Sequence, residues 1–167
     1  YAIGIDFGTD SVRALVVATD NGEEIASCVS LYKRWSEGKY CNPKQNQYRQ
    51  HPLDYIESLT EAVNGALAQC DKAVSDGVVG LSFDCTASTP VLTDCEGTPL
   101  ALLSEYAENP DAMFILWKDH TAIAESDKIN EVSKRWHTDY TKYGGGNHSC
   151  EWVWAKMLHS LRVSPEL

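Results

Sequence analysis

The stretch Asp6-Phe7-Gly8-Thr9-Asp10-Ser11-Val12-Arg13 gathers a carboxylate, a glycine, hydroxyl-bearing residues and a guanidinium around one bend. A carboxylate delivered by a buried strand to its end can hold a hydrated magnesium ion. Gly8 lets main chain approach a phosphate closely. Amides and hydroxyls from Thr9 to Ser11 can donate to phosphate oxygens in a concave turn. Arg13 adds a planar donor set whose charge is permanent. The chemistry these residues suit is the holding of nucleotide phosphates and magnesium, although a plain β-hairpin could carry the same residues.

Two further stretches could meet a small polar substrate. Gly80-Leu81-Ser82-Phe83-Asp84-Cys85-Thr86-Ala87-Ser88-Thr89-Pro90 reads as a strand ending in small polar residues, a shelf where hydroxyl groups can reach main chain or simply a strand followed by a turn. Leu116-Trp117-Lys118-Asp119-His120 sets an aromatic ring among polar groups. An indole covers the C–H face of a sugar while its neighbours bond the hydroxyls, and it also serves as a core anchor. Tyr40, Gln47, Tyr48 and Arg49 either close over a substrate or shape their own loop. His137, His148 and His159 have no metal-ligand spacing and read as surface or packing residues.

These groups need a scaffold. Residues 2–7 form an apolar run closing on an acid, as a buried strand does, and residues 12–18 and 23–31 predict two more strands. Asp20-Asn21-Gly22 between them predicts a tight hairpin, so the three strands make an antiparallel meander. Residues 33–50 are polar and without period and predict a long surface loop. A helix is expected from Pro52, with Leu53, Ile56, Leu59, Val63 and Leu67 on its packed face. Residues 78–83 predict a buried strand ending at Asp84, followed by a turn at Asp94–Gly97. A helix is expected from Asp119 to about Trp136, broken by Tyr143-Gly144-Gly145-Gly146, and Ser149 is expected to cap a final helix. Trp152 and Trp154 should face different sides of it. Ser164-Pro165-Glu166-Leu167 resembles the start of another helix, which predicts a truncated chain.

The 167 residues are enough for one domain with a proper core. Hydrophobic residues make up 43% and charged residues 23%, the balance of an ordinary globular protein. A net charge of -10 repels phosphate backbones and argues against nucleic acid as a partner. No apolar run approaches the roughly 20 residues that span a bilayer, and residues 1–6 lack the basic start of a signal peptide. Cys28, Cys41, Cys70, Cys85, Cys95 and Cys150 form no CxxC pair and read as reduced thiols of a cytoplasmic protein.

The first stretch resembles the DxGTxSxR phosphate motif of the FGGY carbohydrate kinases, members of the actin, Hsp70 and hexokinase superfamily. It matches at Asp6, Gly8, Thr9, Ser11 and Arg13. The resemblance implies an α/β, ribonuclease-H-like domain with a mixed sheet and flanking helices, incomplete here, so that residues 1–167 are the amino-terminal part of the family's N-terminal domain. It implies ATP and Mg2+ as cofactors, with Asp6, Gly8, Thr9, Asp10, Ser11 and Arg13 around the nucleotide and Asp6 holding magnesium through water. Many xylulose kinases of the family carry Gln-Met-His-Gly in the shelf segment, and this chain does not. Asp84 to Pro90 looks instead like the family's L-ribulose kinases, which places Ala87 and Ser88 near the sugar. Leu116 to Thr121 is similar to the same members, making Trp117 a substrate contact and Asp119 a cleft-lining or helix-capping group. Arg49 to Pro52 and Glu151-Trp152 also resemble their text.

The implied activity is phosphorylation of a ketopentose, L-ribulose to L-ribulose 5-phosphate in arabinose catabolism, by a longer chain whose general base lies beyond residue 167. The fragment alone is expected to be inactive. The expected partners are the sugar and ATP, with no nucleic acid, no membrane and room for a homodimer. Two alternatives stand beside this reading. One is another kinase of the family acting on xylulose, D-ribulose or glycerol. The other is a ribonuclease-H-like nuclease built on Asp6 and Asp84, which would need further acids and a basic track.

Overall fold

Ile3 and Ile5 alternate with Gly4 and Asp6, so the first strand has one apolar side and one side open to a ligand. In the computed structural model, which describes residues 1–167, the elements in chain order are β1 (Ala2–Phe7), β2 (Ser11–Val17), β3 (Glu24–Leu31), α1 (Lys33–Ser36), β4 (Cys41–Asn42), β5 (Gln47–Gln50), α2 (Pro52–Leu67), α3 (Lys72–Asp76), β6 (Gly80–Cys85), β7 (Phe114–Ile115), α4 (Ile123–Ser133) and α5 (Val153–Val163). They form two compact units, one of Tyr1–Gly38 with Pro52–Thr86 and one of Lys39–His51 with Ala87–Leu167.

The first unit contains the expected meander. β1 pairs antiparallel with β2, and β2 with β3, while β6 joins β1 in parallel, giving the order β3-β2-β1-β6. Ile3, Ile5, Val12, Ala14 and Val16 are buried on one face with Tyr32, and α2 packs over them. Each large apolar side chain so removed from water contributes on the order of 1.5–3 kcal/mol before chain entropy is charged.

The buried line of α2 differs from the expected one. Its centre is Asp54, Ser58, Ala62 and Ala66, flanked by Tyr55, Leu59, Val63 and Leu67, while Ile56 is 49% exposed. Small residues let the helix lie close to the sheet. A Cβ at Gly65 would stand 2.5 Å from Cys28 Sγ, so this position admits no side chain without movement. The second turn also differs from a two-residue hairpin: Ala18 and Glu23 bracket it, Gly22 alone has φ of +77°, and Asn21 Oδ1 accepts from Glu23 N–H.

β6 is not the buried strand its composition suggests. It forms an edge of the sheet, with Leu81 and Phe83 well exposed. Residues 33–50 are likewise not a loose loop. They contain α1, β4 and β5, and Arg49 and Gln50 are among the most buried side chains of the protein.

That burial belongs to the second unit, where β5 pairs antiparallel with β4 and with β7. Leu100, Ala101, Ala112 and Met113 form its apolar cluster, with Tyr40, Leu92, Leu103 and Tyr106 against it. The Asp94–Gly97 turn forms as expected: Asp94 Oδ1 accepts from Glu96 and Thr98 N–H, and Gly97 has φ of +85°. α4 starts at Ile123 and not at Asp119, whose carboxylate instead accepts from Thr121 in the turn ahead of the helix. Ser149 begins a turn ahead of α5 and does not cap it, since Trp152 is the N-cap and no side chain bonds there.

Candidate phosphate and sugar sites

In the first unit, strand register brings together the residues predicted to face phosphate. Asp6 is opposite Arg13 on β2 and opposite Asp84 on β6, so a guanidinium and two carboxylates lie in one row across three strands. All three side chains are exposed, on the face away from α2. Gly4, Asp6, Arg13, Leu15, Ser82 and Asp84 line a shallow depression of about 310 Å³ there. Adjacent strands are about 4.8 Å apart, near enough for both acids to share one hydrated cation. Two carboxylates are what these residues offer a metal. That fits magnesium, which proteins hold through one or two carboxylates while water and phosphate complete the shell.

The hairpin from Gly8 to Ser11 closes beside this row. Gly8 N–H donates to Ser11 O at 2.9 Å, so that amide serves the turn and not a ligand. Neither Thr9 nor Asp10 has positive φ, and a Cβ on Gly8 would meet only Ser11 O at 3.4 Å. The hairpin itself therefore does not require glycine at this position, which leaves close approach of another molecule as the physical use for it. Asp10 needs correcting as a cofactor group. Its Oδ1 accepts from Trp35 Nε1 at 2.6 Å, its carbonyl accepts from Tyr32 N–H at 3.0 Å, and its charge would repel phosphate. It anchors the hairpin to the chain after β3.

The predicted sugar residues lie in the second unit. Ala87 is exposed, and Ser88 is partly buried with φ of +56°, a conformation that residues other than glycine seldom adopt. Trp117 is 39% exposed, directly after β7 and the fully buried Leu116. Ile115 N–H donates to Pro90 O at 2.9 Å, joining this segment to the shelf.

Asp119 is corrected from a substrate or capping group to an internal one. It is wholly buried, and its carboxylate accepts from Thr121 N–H at 3.0 Å, Thr121 Oγ1 at 2.5 Å, Tyr48 N–H at 2.7 Å and the Arg49 guanidinium. Such a carboxylate has no lone pair left for a sugar. Arg49 also reaches Asp111 Oδ1 at 3.4 Å, so it belongs to the packing of this unit and not to a lid. His120 Nε2 bonds Glu151 Oε1 at 2.8 Å, as a structural histidine does.

Lys156 escaped the reading of the sequence. It is 1% exposed on α5, and its Nζ donates to the carbonyls of Ser88 at 2.5 Å, Leu116 at 2.9 Å, and Ile115 and Trp117 at 3.5 Å. Burial pushes its ammonium down to about 8; Arg49 acts in the same direction, and Asp119 and Glu151 oppose. The available signal was a single cation inside the apolar run Trp152-Val153-Trp154-Ala155-Lys156-Met157-Leu158.

A larger concavity of about 580 Å³ lies between α4 and α5, bounded by Trp136, Tyr140, His148 and Trp152. None of the predicted site residues line it, and its mostly apolar wall offers a sugar few hydroxyl partners.

Comparison with known proteins agrees with this architecture. No protein-family model matches the chain. A ribulokinase of Vibrio parahaemolyticus is 51% identical over 157 residues, covering 93% of this chain and 28% of that protein. A ribulokinase of Halalkalibacterium halodurans is 37% identical over 167 residues, covering 96% and 29%. One of Mycolicibacterium smegmatis is 39% identical over 174 residues, covering 100% and 31%. The chain thus spans about three tenths of the length of these relatives. Among solved structures, a crystal structure described as a xyloylose kinase from Brucella ovis superposes with a TM-score of 0.75 at 16% identity, over 98% of this chain and 30% of that one. A Plasmodium falciparum glycerol kinase with ADP gives 0.66 at 16% identity, over 99% and 29%. At such identities the structures establish the fold alone, which this chain shares with the matching parts of these two kinases.

Proposed function

Because the chain is a homologue of ribulokinases over nearly all of its length, we propose that residues 1–167 are the amino-terminal part of the N-terminal domain of an ATP-dependent kinase that converts L-ribulose to L-ribulose 5-phosphate, a step of arabinose catabolism. The observation that carries the reading is the row Arg13, Asp6 and Asp84 beside the Gly8–Ser11 bend. It puts a permanent cation and two acids next to hydroxyl donors on an open sheet face. The apolar edge strand β6 supports a segment that works within a larger body, since exposed sheet edges are normally covered.

Phosphoryl transfer demands positioning and neutralisation of charge more than covalent participation by the protein. Arg13 and the hydroxyls of Thr9 and Ser11 bind phosphate oxygens, while Gly8 leaves room for them. Asp6 would hold magnesium through water, with Asp84 on the neighbouring strand as the second carboxylate available to it. Magnesium, when bound, offsets the charge that develops on the phosphates. Ala87, Ser88 and Trp117 orient the sugar, the indole against its C–H face and the shelf against its hydroxyls. No residue here is assigned as the base that removes the hydroxyl proton.

The six cysteines are free, which fits a cytoplasmic location, and no helix is long and apolar enough to cross a membrane. The test is a coupled ADP-release assay on the full-length protein with L-ribulose, D-ribulose, D-xylulose and glycerol. Turnover highest with L-ribulose is the expected result. Preference for another of these sugars would reassign the substrate, and no turnover with any would remove the kinase reading.

A further inference from the structure

The shelf at Ala87-Ser88 and the indole of Trp117 lie on separate stretches of chain, and a sugar that touches both needs them in fixed register. One main-chain bond, Ile115 N–H to Pro90 O, joins these stretches. Lys156 supplies a second tie: a dry ammonium whose hydrogen-bond partners are the carbonyls of Ser88 on one side and of Ile115, Leu116 and Trp117 on the other. An ammonium has three donors and a full charge, and carbonyls that converge on it are held more firmly than by neutral donors. Burying a charge for packing alone is unfavourable, since an apolar side chain of similar volume would usually do as well. The arrangement has a use if the two carbonyl groups must be held together. Ser88 supports this, because its left-handed backbone persists only where its surroundings impose it.

We propose that Lys156 is the positioning residue of the sugar site, clamping the main chain of Ser88 to that of Trp117 so that Ala87, Ser88 and the indole are presented together. This rests on the reading of those residues as sugar contacts. Lys156 touches neither substrate nor nucleotide in this role.

The clamp is sensitive to pH. The charged or titratable groups facing Lys156 are Asp119, Arg49, Glu151 and Cys150. Asp119 is already engaged by Arg49, Thr121 and Tyr48, and Glu151 by His120, so neither neutralises the ammonium directly. Below about 8 the clamp is protonated and complete; above it the amine keeps two N–H donors and no charge. The folded value lies below the ordinary 10.5, so between the two the unfolded chain holds more protons, and this group's contribution to folding stability rises with pH. Weakening of sugar binding in that window therefore cannot come from loosening of the fold through this lysine.

The test uses the full-length kinase, with sugar and ATP KM measured from about pH 6.5 to about 9.5 on wild type and Lys156→Met. The wild-type KM for L-ribulose should rise about tenfold as pH passes about 8, in line with the loss of a charge-assisted bond, while the KM for ATP stays level. Lys156→Met should show the raised sugar KM, by about tenfold or more, at every pH. A flat wild-type sugar profile, or sugar and ATP KM rising together in the variant, would overturn the proposal. The wild-type profile decides even where the variant fails to fold. If no tested sugar is phosphorylated, the proposed function fails, and amide exchange at Ile115 and Leu116, whose N–H groups bond Pro90 O and Tyr48 O, then decides the clamp. Joint loss of protection in Lys156→Met supports it, and unchanged protection refutes it.

Discussion

In the region proposed to face phosphate, Asp6 acquires its neighbours through strand register alone. Arg13 comes from the next strand of the same hairpin and Asp84 from the parallel strand beside it, and all three stay exposed. In the region expected to meet the sugar, the exposed Ala87 and Trp117 lie on stretches tied by charge that is out of water: Lys156 holds the carbonyls of Ser88, Leu116 and Trp117, and two residues past Trp117 the Arg49–Asp119 pair is buried. One region is a surface written onto a sheet, and the other is a surface held up by a buried polar network. Mutations should therefore divide: those in the row should damage chemistry and spare the fold, and those that break the buried Arg49–Asp119 pair should damage the fold first.

The largest effect expected is that of Asp119→Asn in the full-length protein. It removes the nearer of the two carboxylates on the buried Arg49 cation and leaves only the longer contact to Asp111, which should cost about 3 kcal/mol in urea unfolding. The double change Arg49→Met with Asp119→Leu should cost clearly less than the sum of the single ones. A loss below about 1 kcal/mol for Asp119→Asn, the scale of an exposed pair, would erase the contrast between the regions. Next comes Asp6→Asn, expected to lower kcat about 10²- to 10³-fold with little change in sugar KM or urea midpoint. Unchanged turnover would remove Asp6 from the magnesium and phosphate shell.

A smaller effect is expected away from both sites, where α2 meets β3. Gly65→Ala should destabilise by about 1–3 kcal/mol through the clash with Cys28, and adding Cys28→Ala should recover part of the loss. Absence of any recovery would mean that helix propensity, and not this contact, governs the position. The smallest is Trp35→Phe, which removes the indole donor to Asp10. Stability should fall by about 1 kcal/mol, with a rise of only a few-fold in ATP KM. A large rise in ATP KM would show that the Asp10 anchor matters to nucleotide binding more than its exposure suggests.

The difference between the regions also explains what could be read in advance. The hairpin, the meander and the strand ending at Asp84 are local patterns: alternation of apolar residues, a glycine at a bend, an acid at a strand end. Their consequences follow within a few residues, so the positions of Asp6, Gly8, Thr9, Ser11 and Arg13 were legible. The burial of Asp119 against Arg49 was illegible for the opposite reason. A charged residue in a polar stretch looks solvated, and nothing nearby announces that a partner some seventy positions away will neutralise it.

Nearest neighbours and strand period were enough to foretell the sheet's alternation and the bend from Gly8 to Ser11. The exposed edge at β6, the burial of small residues on α2 and the inward-facing Asp119 and Lys156 arise from the folded arrangement. Those outcomes depend on which distant groups meet. For a charge, the cost of leaving water is offset only by partners that folding brings to it.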